Sequence, residues 1–200
     1  MRKFLLPIFA LILFLLQSNA FAQDNKDLIY YVGIGPAIDG NMGLFGINVS
    51  NELSFGLGKR ISLNPSLTYY QSIKSFDSFD DPKFGQDNSS GLFTNATFKY
   101  DLLLTKNNFR ISLAFGPSFQ IGSENSTDGA FLRYDESGNY YEYMYSIERF
   151  ARLGYTQQIA FDWKSKNENR RNSAVLSMSS FDGYWPWYLM ATYRLGFRLK

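Results

Sequence analysis

Four carboxylates (Glu52, Asp101, Glu148 and Asp162) and five cations (Lys99, Arg110, Arg152, Arg194 and Arg198) stand on the small, polar side of an alternating pattern that fills most of this chain. Paired carboxylates can act as general acid and base, so any chemistry would start from these residues. They have few helpers. The sequence contains no histidine and no cysteine, which removes Ser-His and Cys-His nucleophile pairs as well as imidazole and thiolate metal sites. Because cations are interleaved with the acids, the pattern points to an enclosed network of ion pairs and hydrogen bonds, since a buried charge is tolerated chiefly when it is paired. A narrow ion path and carboxylate catalysis are the alternatives.

Other candidate motifs carry less. Gly33-Ile34-Gly35 has neither the third glycine nor the following helix of a nucleotide loop, and reads as strand packing. The acidic residues from Asp77 to Asp87 lack the spacing of an EF-hand and read as a solvated loop. Four Asn-x-Ser/Thr triplets, at Asn48, Asn88, Asn95 and Asn125, occur at the rate chance allows in an Asn- and Ser-rich chain. No cofactor and no metal is therefore expected. Tyr134, Tyr140, Tyr141, Tyr143 and Tyr145 are different. With a turn at Ser137-Gly138-Asn139 they form an aromatic hairpin, a candidate interaction surface for a glycan or an envelope protein; rigid loop packing is the plainer reading.

The elements that must position these residues are strands. From Leu28 onward the side chains alternate with period two, and helical spacing is nowhere persuasive. Eight strands are predicted: 28–38, 44–57, a third from Ile61 to about Lys74, a fourth from about Leu92 to Leu104, a fifth from Phe109 to Ile121, a long sixth from about Tyr141 to Trp163, a short seventh at 173–180, and an eighth from Trp187 to Leu199. Polar loops are expected at about 75–90 and 123–139.

Alternation alone fits either a membrane barrel or its inverse, a soluble lipocalin-like carrier. Side-chain size separates them. One face carries dozens of Phe, Tyr, Leu and Ile residues, whereas the inside of an eight-stranded barrel is only wide enough for a filling of side chains. The opposite face offers Gly, Ser, Thr and Asn, so the bulky face should point outward into lipid. Tyr30, Phe45, Tyr69, Tyr100, Phe119, Trp163, Trp187 and Phe197 are expected to form two aromatic belts, while Asn51, Arg149 and Gln157 interrupt the outward stripe; Arg149 is accommodated near the rim, where a charge costs little, and Asn51 and Gln157 suggest a bulge or a slipped register. Short turns after the second and fourth strands, and long connections after the third and fifth, suit periplasmic turns and external loops. Basic residues (Lys59, Arg60, Lys106, Lys164, Lys166, Arg170, Arg171) collect in the former, and acids (Asp77, Asp80, Asp81, Asp87, Glu124, Asp128, Asp135, Glu136) in the latter.

The N-terminus has the plan of a cleaved export signal: Arg2 and Lys3, an apolar run from Phe4 to Leu16, then Ala20-Phe21-Ala22. That run is 13 residues, short of the roughly 20 a membrane helix needs. The expected division is 1–22 signal and 23–200 barrel, in a bacterial outer membrane. Removing Arg2 and Lys3 takes the 20 basic residues to 18, equal to the 18 acidic ones, which argues against nucleic acid as a partner. Without cysteine, stability must come from a closed sheet or a core.

On this pattern, and on the closing segment Tyr193-Arg194-Leu195-Gly196-Phe197-Arg198-Leu199, the chain resembles the small outer-membrane β-barrel domain family frequent in Bacteroidota, and more loosely the OmpA/OmpX-type barrels. Terminal strand signals of such barrels usually end on an aromatic residue, whereas this chain ends Leu199-Lys200. The resemblance implies an all-β, eight-stranded antiparallel up-and-down transmembrane barrel. It implies a non-enzymatic monomer in contact with outer-membrane lipid, structural or acting through its loops. Its PorT-like members suggest an alternative, an accessory of an envelope secretion or transport assembly.

Overall fold

Leu28 to Asp39 forms the first strand, β1, with Ile29, Tyr31, Ala37 and Asp39 buried and Val32, Ile34 and Pro36 exposed. The same two-residue rhythm shapes β2 (Leu44–Gly56), β3 (Ile61–Ser75), β4 (Asn88–Leu104), β5 (Arg110–Asp135), β6 (Gly138–Lys164), β7 (Arg170–Phe181) and β8 (Tyr184–Leu199). The computed structural model describes residues 28–75, 87–105, 109–135, 138–167 and 169–199. Each strand pairs antiparallel with its neighbours in sequence, and β8 returns to β1, closing the barrel. The fold is an all-β, eight-stranded antiparallel up-and-down barrel. Residues 1–22, read as an export signal, lie outside the described residues, as do Asp77, Asp80, Asp81, Lys106, Glu136 and Ser137.

The bulky face points outward. Phe115 is 58 % exposed and Leu153 73 %, and Phe98, Leu113, Tyr193 and Leu195 are exposed as well, while Ser50, Ser66, Thr97, Ser112, Thr156 and Thr192 are buried inside. A lipocalin-like carrier would need the reverse. Asn51 and Gln157 are half-buried on the outward stripe, in unbroken register with Val32 and Leu67 and with Phe115 and Met178 respectively. No bulge occurs there; the ladder irregularities lie at Phe45/Gly46, Asp101/Leu103, Thr127/Gly129 and Ser179/Phe181.

The interior is not uniformly small. Towards the end with the β1–β2 turn, Tyr70, Phe93, Phe181, Trp187, Tyr188, Met190 and Ala37 form one buried apolar cluster. Its rings meet mostly edge to face, Phe93 and Tyr188 at 4.9 Å and Tyr70 and Tyr188 at 5.3 Å, a favoured arrangement for aromatic quadrupoles. Glycines make room for rings inside so narrow a barrel. A Cβ on Gly46 would lie 2.6 Å from the Tyr70 ring, and one on Gly196 2.5 Å from the Tyr31 ring. Trp187, expected in the outer aromatic belt, is 5 % exposed. It sits where β8 crosses the rim, and its indole covers Phe181 and the Arg152 guanidinium.

The region expected as a loop at 123–139 is largely strand. β5 runs on to Asp135 and β6 begins at Gly138, paired in register from Asp135↔Gly138 down to Arg110↔Asp162. β4 leaves β5 at Asn88↔Asn125, and β7 leaves β6 at Gly154↔Phe181. From Ser126 to Asp135 and back the two strands stand beyond the barrel as a ribbon, roughly 30 Å along the chain at ~3.3 Å per residue.

Candidate functional site

Two places collect the residues singled out by sequence: the lumen below the aromatic cluster and the hairpin above it. Alternation delivers the lumen charges from five different strands to a shared interior. On β8, Arg194 Nη1 donates to Glu52 Oε2 of β2 at 2.6 Å, and Asn64 of β3 donates to the other oxygen of Glu52 at 2.7 Å. Lys99 Nζ of β4 reaches Asp162 Oδ2 of β6 at 2.6 Å. Near the rim where β1 begins, Asp101 accepts from Ser112 at 2.7 Å and from Arg110 at 3.3 Å. Every one of these three carboxylates is engaged by a cation. Above them, Thr192 donates to Asn48 Oδ1 at 2.8 Å and Gln120 to the Tyr188 hydroxyl at 2.9 Å, tying the polar layer to the aromatic one.

Two predicted members of the network lie elsewhere. Glu148 is exposed, because β7 reaches only as far as Gly154 and, among the described residues, no strand flanks β6 beside Glu148. Arg198 is exposed at the opposite rim, near the end of β8. Glu124, expected in an external loop, takes the place of Glu148. It is buried, and Arg152 grips it through Nη1 at 2.8 Å and Nη2 at 3.4 Å. Asp182, in the β7–β8 turn, lies 3.5 Å from Nε of the same arginine. The guanidinium sits 3.8 Å from the Phe150 ring centroid and 4.4 Å from that of Trp187, so it is stacked as well as ion-paired. The missed signal was length: the polar face of the fifth strand continues through Gly122 and Glu124 once that strand is carried past Ile121.

Arg152 stands at the hairpin's root. On the other side, Asp87 Oδ1 accepts from the amide and hydroxyl of Thr127 at 2.8 and 2.7 Å, beside the Thr127/Gly129 irregularity. Higher up, Tyr134 is 73 % exposed; Tyr145, opposite Thr127, and Ile147, opposite Asn125, are also exposed. Tyr143 is half-buried, and Tyr140 and Tyr141 take register positions opposite Arg133 and Leu132. Arg133 and Glu142 form an exposed ion pair at 2.6 Å. Among the described residues, no three or more Asp, Glu, His or Cys are gathered as a metal ion would require.

The barrel architecture recurs in known structures. Neisserial surface protein A superposes with a TM-score of 0.56 at 10% sequence identity, over 86% of this chain and 96% of its own. The N-terminal β-barrel domain of Pseudomonas aeruginosa OprF superposes with a TM-score of 0.53 at 11% identity, over 88% of this chain and 100% of its own. The fold is that of small outer-membrane barrels. No protein-family model matches the chain, and no curated protein matches it in sequence. At such low identity the shared property is architecture, and this chain's own residues must carry any further reading.

Proposed function

We propose that this chain is a non-enzymatic, integral protein of a bacterial outer membrane, with a lumen closed to solutes, that acts at the cell surface through its β5–β6 hairpin. The supporting observation is the hairpin itself. A two-stranded ribbon is marginal on its own in water, yet this one is anchored at its root by Arg152–Glu124 and Asp87–Thr127 and displays aromatic side chains above the barrel. Exposed aromatics beside an open sheet edge suit binding of a glycan or of an envelope protein. The outward apolar face supports membrane residence, since a closed barrel satisfies its backbone in hydrocarbon. The ion-paired lumen under an aromatic layer supports a structural barrel over a pore or an enzyme. Membership of the Bacteroidota-type family rests on the strand pattern and on the segment Tyr193 to Leu199.

Two measurements test this reading. In planar bilayers the protein should give no appreciable conductance; stable channels of porin size would refute the closed lumen. Excising Arg133 to Tyr145 should leave a folded barrel that has lost its surface interactions, and an unchanged set of interactions after excision removes the hairpin from the function.

A further inference from the structure

We infer that the open edge of β6 pairs with the same edge of a second copy of this chain, joining barrels that lie in opposing membranes. This rests on the surface role proposed above for the hairpin, and it names the partner. From Gly138 to Leu153, β6 pairs with β5 on one side; among the described residues no strand lies along its other side, because β7 reaches only as far as Gly154.

Exposed edges of this length are usually guarded by proline, charged side chains or a bulge. The outer part of this edge is lightly guarded, with Glu148, Arg149 and Arg152 nearer the barrel. The segment Tyr140 to Ile147 holds no proline and no lysine, its single charge is Glu142, and β6 runs through it without a break of its own. Such a segment is a template for another strand.

The direction of pairing follows from sterics. Two copies in one membrane would have to place their β6 edges parallel, but below Leu153 that edge is occupied by β7 in each copy, and the two β7 strands would claim the same space. Antiparallel pairing has no such conflict. With Met144 opposite itself on the two-fold axis, Gly138 falls opposite Phe150, and each partner's Gly154 lies past the other's Gly138. The register is also compatible in charge: Glu142 meets Ser146 and Tyr143 meets Tyr145, an aromatic cross-strand pair, with no like charges opposed. Moving the axis to Tyr145 would set Glu142 against Glu148. Antiparallel β6 strands send the barrels in opposite directions, so the four-stranded sheet β5–β6–β6–β5 bridges two membranes.

The test uses the full chain refolded into phosphatidylcholine vesicles, in two batches carrying donor and acceptor lipid dyes. Mixing should produce protein-dependent energy transfer. Ser146→Glu, which opposes glutamates twice per pair, should lower docking about tenfold, and adding Glu142→Lys to the same chain should restore it. Since the chain has no cysteine, Met144→Cys should yield an oxidised dimer only between docked vesicles, whereas Ile147→Cys should not. Docking at the level of protein-free vesicles, indifference to Ser146→Glu, or equal cross-linking by both cysteine variants overturns the inference. If docking fails while hairpin excision still abolishes surface interactions, self-pairing alone falls. If excision also has no effect, the parent reading falls with it.

Discussion

Lys99 Nζ on β4 and Asp162 Oδ2 on β6 meet at 2.6 Å inside the barrel, spanning the width of the intervening strand β5. Both side chains are less than a tenth exposed, so neither charge has water as an alternative partner. Removing one member of such a pair strands the other, a loss of about 3–5 kcal/mol. Asp162→Asn should therefore lower unfolding stability by that order in denaturant titrations of the folded barrel, and Asp162→Asn with Lys99→Met should recover most of it. Additive losses would mean that the pair is not the closed unit described.

Gly196 and Tyr31 are register partners on β8 and β1, and the ring occupies the space a Cβ would need. Gly196→Ala should cost about 1–3 kcal/mol through overpacking. In a Tyr31→Ala background the same change should be nearly neutral. A double-mutant cycle with no coupling would show that the backbone moves aside instead.

Period-two alternation made the eight strands legible, and β1, β2 and β3 end within a residue or two of their expected limits. The outward direction of the greasy face was legible from side-chain volume. What escaped was context that alternation cannot carry. Tyr70, Phe93 and Tyr188 sit on the small, polar face as single large residues, and only once register is fixed does Gly46 show how the Tyr70 ring fits. Trp187 holds an outward position in the pattern but bends over the rim, where the ladder shifts at Ser179/Phe181. Glu148 and Glu124 are register partners that exchanged roles because β4 flanks Glu124 at Ser89, whereas among the described residues no strand flanks Glu148 on its other side. In the sequence, 123–139 is polar enough to read as loop, yet pairing with β6 keeps 123–135 extended.

Arg152 links three elements at the hairpin's foot: Glu124 on β5, Asp182 in the β7–β8 turn, and the Phe150 and Trp187 rings. Regions with few buried contacts open locally with small free energies, and the ribbon above Arg152 is of that kind. Arg152→Ala should raise amide hydrogen exchange between Asn125 and Ile147 about tenfold, equivalent to ~1.4 kcal/mol of lost local stability, and leave exchange in β1, β2 and β3 unchanged. Arg152→Lys should fall between the two, because an ammonium keeps the charge and loses both the bidentate grip and the flat stacking face. Uniform acceleration across the barrel would assign Arg152 to global stability.

Phe115 and Ile147 are both exposed and apolar, at 58 % and 72 %, yet their surroundings should differ. Phe115 lies mid-strand, flanked by Phe98 on β4 and Gln157 on β6, inside the closed part of the barrel. Ile147 lies at the foot of the ribbon, opposite Asn125 and above the point where β7 ends. If the closed wall is the membrane-spanning part, Phe115→Arg places a charge near the bilayer midplane and should cost about 2–4 kcal/mol in lipid. Ile147→Arg, at or above the interface, should cost about 0–1 kcal/mol. Folding titrations in bilayers measure both. In detergent micelles, which deform around a charge more readily than a bilayer, the gap should narrow. Equal costs in bilayers would place the ribbon at the same depth as the wall, and the surface role of the hairpin could not stand.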